Sequence, residues 1–425
     1  MSKGFFSSTK TSPGRQSRSI PQCGACGLHR GCASPRMPVT GDGERKVLFV
    51  AEAPGRNEDE QGEQLIGKAG QYLRRVLLHL GFDLDEDAWK TNAIICRPPG
   101  NRKPSSSEIS YCGPNLSAAI KEYRPNVIVP LGAAAISAVI GPLRSGDDIG
   151  QTGRWAGWNI PDQTLNAWIC PTWHPSYLLR QKDNVLDKQF KEHLAAAIKH
   201  DRKPWPEGSP KWEKDVKIVL DPEAAAKWVN KCTEMKTGAI AWDYETNCLK
   251  PDWPEAKIAS CSVAWGRHEP ERCIAFPWNG AVIPAMQKLL SSPIPKIASN
   301  LKFEDRWTRK EFGHRVRAWA WDTMVAAHVC DNRRGITSVK FQAYVRLGAP
   351  LWNEIIDPYL KGIKIYNVPG GGPPIIIKDK SHFNKVFEAD IMDLLLYNGL
   401  DSILEFRVAC DQIKELGGEL PWCTD

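Results

Sequence analysis

The sequence has no uninterrupted apolar run of roughly eighteen residues, so no membrane-spanning helix is expected. It also lacks an apolar export segment at its start. No Asp or Glu precedes Cys23, whereas Lys3, Lys10, Arg15 and Arg18 do. An arm so poor in apolar residues cannot bury enough surface to order itself, and residues 1–22 are expected to form a disordered basic arm. No internal repeat is visible, which excludes a stacked-repeat architecture. With no secretory context, the thirteen cysteines point to metal or cluster ligation rather than to disulfides. What is present is ordinary in bulk: 425 residues, enough for two domains, 42% hydrophobic, with a net charge of +7 that permits a polyanionic partner. The seventeen tryptophans are expected mainly in cores, with a few available to stack on bases.

From Lys46 to about His200, segments with strand and helix character alternate. VLFVAEA, WKTNAIIC, PNVIVPLG and WICPTW read as strands. AGQYLRRVLLHLGF and SEISYCGPNLSAAIKEY read as helices, the second capped by Ser106 or Ser107 with Glu108 in its first turn, and DKQFKEHLAAAIKH closes the series. This order predicts a three-layer α/β/α domain over residues 23–200 with a mostly parallel sheet. Residues 201–214 are Pro-rich and polar and read as a linker. A second α/β domain over 215–425 opens with the strand VKIVL. The strand GAIAWDYET follows, then a hairpin of IASCSVAWG and RCIAFPW, and then mainly helix from about Pro284. VPGGGPPIII (368–377) reads as a loop.

The first domain is organised around Val47–Gly70. A buried strand runs into Glu52, Pro54 and Gly55, then Glu58, Asp59 and Glu60, with Gly67 and Gly70 opening a helix. Ligands of α/β sheets bind outside the carboxyl ends of strands, so acids and glycines there point to a site. Four cysteines, the close pair Cys23 and Cys26 and the wide pair Cys96 and Cys112, suit Zn or a [4Fe–4S] cluster. The wide second pair favours the cluster, and Cys32 is a spare ligand.

AEAPGRNEDEQGEQLIGKAG, TNAIICRPPGNRKP, VIVPLG and HPSYLLR, in that order and together with the four cysteines, closely resemble the family 4, iron–sulfur uracil-DNA glycosylases from about Cys23 to Lys199. The resemblance implies a [4Fe–4S] cluster on Cys23, Cys26, Cys96 and Cys112, and uracil flipped from the DNA stack into a pocket. It makes Asn92 the reader of the uracil edge. It places His174 as donor to the uracil oxygen as charge develops, a role worth about 3–4 kcal/mol. Glu52 and Glu58 would face the sugar cation or orient water, and Asn101 matches a further active-site position. Leu178, Leu179 and Arg180 would wedge into the vacated stack. Leu65 stands where the family has a phenylalanine that stacks on uracil, so weaker uracil affinity or a different base is implied.

In the second domain, Asp243 and Glu245 lie two apart on a strand and face one side. Glu304, with Asp305 beside it, supplies a third acid, and Tyr397 and Asp401 lie four apart on a helix. Such a set offers hard oxygen ligands to two Mg²⁺ or Mn²⁺ ions. From about Val216 to Leu416 these motifs resemble the DEDDy 3′–5′ exonucleases, specifically the proofreading domain of family A DNA polymerases, a ribonuclease H-like fold. The resemblance implies Asp243, Glu245, Glu304 and Asp401 as metal ligands, with Asp305 the fallback for Glu304, and Tyr397 as the residue orienting the attacking water. The sequence given ends at Asp425 without palm or fingers, so any polymerase is expected to be a separate chain. Together the two resemblances imply a repair or replication enzyme that acts on uracil-containing DNA and 3′ ends. Its expected place is the cytoplasm, at the nucleoid or in a phage-infected cell. The competing reading is an active exonuclease whose first domain only senses uracil or DNA.

Overall fold

The computed structural model describes residues 23–201, 211–234, 238–266, 273–366, 375–378 and 382–418. The expected basic arm and most of the expected linker lie outside them. The chain divides into two compact units, residues 1–207 with 347–350, and residues 208–346 with 351–425.

The first unit holds β1 (Val47–Ala51), α1 (Arg56–Gln61), α2 (Lys68–His79), β2 (Ala88–Asn92), α3 (Ser106–Tyr123), β3 (Val127–Pro130), α4 (Ala133–Ile140), α5 (Thr152–Trp155), β4 (Ile160–Asp162), β5 (Ala167–Ile169), α6 (Pro175–Gln181) and α7 (Asn184–Ile198). The sheet order is β2-β1-β3-β5-β4, parallel except for β4 at the edge. All five residues of β1 are buried, as a strand covered on both faces requires. Val47, Phe49 and Ala51 pack with Leu73 and Leu77 of α2 and Phe190 and Leu194 of α7. Leu48 and Val50 alternate to the other face, where α4 packs on β1 and β3. Helices on both faces make the expected three layers.

Two local readings are corrected. The cap of α3 is Ser105, one residue earlier than expected: its hydroxyl accepts from the Glu108 N–H (3.2 Å), while the Glu108 carboxylate accepts from the Ser105 N–H (2.8 Å). This reciprocal capping box needs Glu108 three residues on, a spacing that only Ser105 satisfies. The second expected strand stops at Asn92, with the Ala93 and Ile94 N–H groups making the last bonds across to the Ala51 (2.8 Å) and Glu52 (3.3 Å) carbonyls. The segment beyond it carries Cys96 instead.

The second unit holds β6 (Val216–Ile218), α8 (Pro222–Thr233), β7 (Ile240–Thr246), β8 (Ile258–Trp265), β9 (Cys273–Pro277), α9 (Val282–Ser291), β10 (Lys296–Ala298), α10 (Leu301–Phe312), β11 (Trp319–Asp322), α11 (Thr323–Cys330), α12 (Val339–Leu347), α13 (Asp357–Leu360), β12 (Ile363–Tyr366), β13 (Ile375–Lys378) and α14 (Ile391–Glu415). Its six-stranded sheet runs β11-β10-β7-β8-β9-β6. β7, β8 and β9 form an antiparallel meander, β10 and β11 continue parallel to β7, and β6 lies parallel to β9. This is the ribonuclease H-like architecture expected. β10 and β11 escaped the sequence reading because strands of three and four residues carry too little period to register. Ile375–Ile377, expected in a loop, belong to β13, which pairs antiparallel with β12. Residues 367–374 of that loop lie outside the described residues.

The 25-residue α14 crosses β8, β7, β9 and β6. Gly399 permits that approach: a Cβ there would stand 2.3 Å from Cγ1 of Val216, and its carbonyl accepts from the Cys273 thiol. Gly399→Ala is therefore expected to destabilise this unit by about 1–3 kcal/mol through overpacking, read as an earlier urea midpoint with an unchanged slope.

Candidate functional sites

The candidate pocket of the first unit gathers at the carboxyl edge of its sheet. Ala51 pairs with Asn92, so Glu52 and Asn92 leave the sheet side by side. His174 arrives after β5 through the Leu131–Thr172 bridge. Gly132, at φ 81°, lets the chain pass there: a Cβ on it would lie 2.8 Å from that of His174. His174 caps α6, its Nδ1 accepting the Ser176 N–H (3.2 Å) with the Ser176 hydroxyl at 2.7 Å. A backbone N–H can only donate, so in the neutral ring the proton sits on Nε2. Burial, and secondarily the nearby Arg180 charge, lower the His174 pKa to about 4, so the ring is neutral at pH 7. The structure thus provides an uncharged donor whose free N–H is Nε2. Burial raises the Glu52 carboxyl, and the charges of Lys103 and Arg180 oppose the shift.

Other expected residues differ in what they do. The Glu58 carboxylate accepts the Gly67 N–H (2.7 Å), tying α1 to the start of α2. Asn101 lies exposed at φ 55°, accepting from Arg97 Nε (2.7 Å). Leu178 is corrected: it is 5% exposed and packed in the core, because α6 packs on α2 there, and the exposed apolar side chain is Leu179. Leu65 is also buried, in the same core at φ 57°, rather than offered as a stacking surface. Gln64, which the sequence reading passed over, is fully buried against Asn92.

Cys23, Cys26, Cys96 and Cys112 line one cavity with Leu28, Ile94 and Tyr111. The Arg36 N–H points to the Cys96 sulfur (3.3 Å), and the Ile95 N–H and Asn115 amide point to that of Cys112 (3.4 and 3.6 Å). Donors aimed at sulfur in an apolar cavity fit a thiolate-held iron–sulfur cluster. Burial pushes the Cys96 thiol up to about 12, so a bare thiolate is disfavoured there and a cation would have to compensate it. Cys32, the spare, is turned aside to the Leu28 and Arg97 carbonyls. The cysteine-bearing segment that follows residue 22 is pinned by Asp59 of α1, 3% exposed, whose carboxylate accepts the N–H groups of Ala33 (3.2 Å) and Ser34 (3.0 Å). Cys112→Ser is expected to leave the purified chain short of iron and without visible absorption, while iron and sulfide analysis of the parent gives about four of each per chain.

In the second unit, carboxylate oxygens of Asp243, Glu245 and Asp401 lie within 4.8 Å of one another. Each is oriented. Asn398 donates to Asp243 Oδ2 (2.8 Å) and is itself fixed by the Ser260 hydroxyl (3.1 Å). Trp352 Nε1 donates to Asp401 Oδ1 (2.9 Å). The Lys340 ammonium donates to Tyr397 Oη (2.9 Å) and lies 3.5 Å from Asp401. Burial and then Asp401 push the Asp243 carboxyl up to about 7, and burial and then Asp243 raise Glu245. Crowded, buried hard oxygens of this kind fit divalent cations. Glu304 stands outside the triplet, 2% exposed with Oε2 lacking a partner, and Asp243 contributes to raising its pKa. Asp305, the fallback, faces elsewhere and accepts the Val316 N–H (3.1 Å). Glu405, one turn beyond Asp401 on α14, is a second buried acid with an unpartnered oxygen. Lys340, Trp352 and Glu405 carry no signal in the sequence; Asn398 follows Tyr397 directly and was passed over.

The profile of the Uracil DNA glycosylase superfamily matches residues 38–199, and that of a 3′-5′ exonuclease family matches residues 216–346. The chain is similar to a type-4 uracil-DNA glycosylase of Thermotoga maritima, 36% identical over 183 residues that are 43% of this chain and 90% of that protein. A DNA polymerase of Bacillus phage SP01 is 23% identical over 325 residues, 70% of this chain, which spans about a third (34%) of that polymerase. Escherichia coli RNase D matches structurally at a TM-score of 0.34 and 12% identity, covering 48% of this chain and 45% of that one.

Proposed function

The chain belongs to the type-4 uracil-DNA glycosylases through its first unit and carries a 3′–5′ exonuclease domain of the DNA polymerase A type in its second, and from that premise we propose that both units are active on DNA. The first hydrolyses the N-glycosidic bond of uracil, and the second removes nucleotides from 3′ ends. The observation that carries the first activity is the spent Nδ1 of His174, which leaves Nε2–H as the group free to meet the developing charge on the uracil oxygen. A neutral donor suits this step, because the leaving base becomes anionic and no full proton transfer is needed. Asn92 reads the base edge. Glu52 faces the sugar, where its charge offsets the developing cation, and Arg180 and the exposed Leu179 approach the DNA beside it.

Cys23, Cys26, Cys96 and Cys112 would hold the [4Fe–4S] cluster, whose contribution is structural. In the second unit, Asp243, Glu245 and Asp401, with Glu304 behind them, would hold two Mg²⁺ or Mn²⁺ ions. When bound, these ions supply charge stabilisation for both the attacking and the leaving oxygen. Tyr397 Oη accepts from Lys340 and its hydroxyl bonds to Asp401, which holds the phenol beside the acid triplet where an attacking water would be oriented. Asn398 and Trp352 keep their carboxylates from rotating away.

The test uses a 5′-labelled single strand with one uracil: base release appears as an alkali-sensitive break, and digestion appears as metal-dependent shortening. Absence of both sinks the proposal. A second reading, in which the first unit senses uracil without excising it, draws on the burial of Leu65, which leaves no ring at the stacking position. Tight uracil-dependent binding without release selects that reading. A partner polymerase on a separate chain, tested by co-purification, remains part of the proposal.

A further inference from the structure

The residue before Leu65 sets the direction of the pocket's reading group. Gln64 is fully buried and Asn92 is 2% exposed. Gln64 Nε2 donates to the Pro38 carbonyl at 3.0 Å. A carbonyl only accepts, so the sense of the Gln64 amide is fixed with Oε1 turned away from Pro38. That Oε1 accepts from Asn92 Nδ2, and an amide oxygen also only accepts, so the sense of Asn92 is fixed in turn. Pro38 is itself held: Met37 N–H donates to the Ile95 carbonyl (2.9 Å), and Thr40 and Lys90 exchange backbone bonds (3.1 and 2.8 Å). The relay therefore begins on backbone anchored to β2 and ends at its last residue. Reversing Asn92 would set two amide oxygens face to face in a dry site, a buried unpaired contact of the costly kind. Asn92 retains Oδ1, which no hydrogen bond engages among the described residues, and the second hydrogen of Nδ2.

We propose that Gln64 is a positioning and specificity-determining residue: it locks the Asn92 amide so that the pocket accepts a base edge presenting a donor beside an acceptor in uracil's order, N3–H and O4, and refuses the reversed edge of cytosine. This rests on the glycosylase reading above, with Asn92 as the group that reads the base. Where Oδ1 meets N3–H and Nδ2–H meets O4, both bonds form. With cytosine the same fixed amide sets Oδ1 against the N3 lone pair and Nδ2–H against the 4-amino group, and both are repulsive. A free asparagine can reverse to suit either base; one held by Gln64 cannot.

The test compares the full chain, loaded with its cluster, with Gln64→Met and Gln64→Glu, using single strands that carry one uracil or one cytosine. Rates of base release and binding affinities are both measured, and melting temperatures establish that each variant folds. Methionine keeps the length of the side chain and removes the relay, so the uracil-to-cytosine ratio is expected to narrow at least tenfold. Glutamate, taken up protonated in this dry site, can still donate to the Pro38 carbonyl and accept from Asn92 Nδ2, and is expected to preserve the ratio. A role in packing alone would change stability and leave the ratio where it was. An unchanged ratio in folded Gln64→Met overturns the inference, as does loss of the ratio in folded Gln64→Glu. If the parent binds uracil over cytosine and releases neither, catalysis is refuted and the binding ratio still decides the role of Gln64. If the parent shows no preference by either measure, the inference fails with the pocket reading.

Discussion

Asp243→Asn is expected to cut metal-dependent digestion of 3′ ends by about a thousandfold, a barrier increase of ~4 kcal/mol. The residue is at the centre of the acid group: it shares the triplet with Glu245 and Asp401, electrostatically raises buried Glu304 and Glu405, and is gripped by Asn398. Asparagine preserves shape and can still accept from Asn398, so the fold is retained while a negative charge and a cation ligand are lost. Stability without metal is expected to hold or rise, because one member of a buried, mutually repelling group has become neutral. Mn²⁺ should raise the melting temperature of the parent, since an ion bound only by the folded state contributes about 2.7 kcal/mol at a hundredfold excess over its dissociation constant. The variant should show a much smaller rise. Equal melting shifts in both proteins, or digestion within tenfold of the parent, would refute the assignment. Uracil release should be unaffected, separating this outcome from general damage.

His174→Ala is expected to lower uracil release by about 10²–10³-fold, or ~2.7–4 kcal/mol, the usual effect of removing one preorganised donor. Digestion of 3′ ends should continue. The pH profile gives an independent reading. The folded-state pKa of His174 is lowered to about 4, so the working neutral ring persists well below the usual histidine range, and release should show no break near 6.5 from this residue. Linkage has the matching sign. The unfolded chain takes up this proton first as pH falls, so the stability associated with neutral His174 is fully present above about 6.5 and is lost as pH approaches about 4. Unfolding by urea at several pH values should show that slope in the parent and a shallower one in His174→Ala. A parent profile that breaks near 6.5 and flattens in the variant would refute the lowered pKa, and release that rises as pH falls through that break would mean that the ring is charged when it acts.

The parts of the fold that were legible in the sequence are those whose residues answer to a local rule. The run Val47–Ala51 is apolar throughout because both faces of β1 are covered. Asp243 and Glu245 share a side because β7 alternates, and Tyr397 and Asp401 meet because α14 turns. What escaped depends on chain segments far apart in sequence. Lys340 reaches Tyr397 across 57 residues and Trp352 reaches Asp401 across 49, and no periodicity marks either. Leu178 misled because a leucine after the histidine motif is equally good as wedge or as core; the packing of α6 on α2 decides. Leu65 drew attention as the departure from the family pattern at the stacking position, but it belongs to the core, and the residue that touches Asn92 is its neighbour Gln64.

The grip of Asp59 on Ala33 and Ser34 extends beyond holding one segment. Asp59 is adjacent to Glu58 on the short α1, and Glu58 holds the turn that starts α2. These bonds join residues 33–34, α1 and the start of α2, and the three are expected to open together. If Cys23, Cys26, Cys96 and Cys112 hold the proposed cluster, withdrawing iron should speed amide exchange first around Ala33 and Ser34, then through α1 to Gly67, while β1 and β3 stay protected. Loss of the proposed cluster would then loosen the pocket well before the unit unfolds.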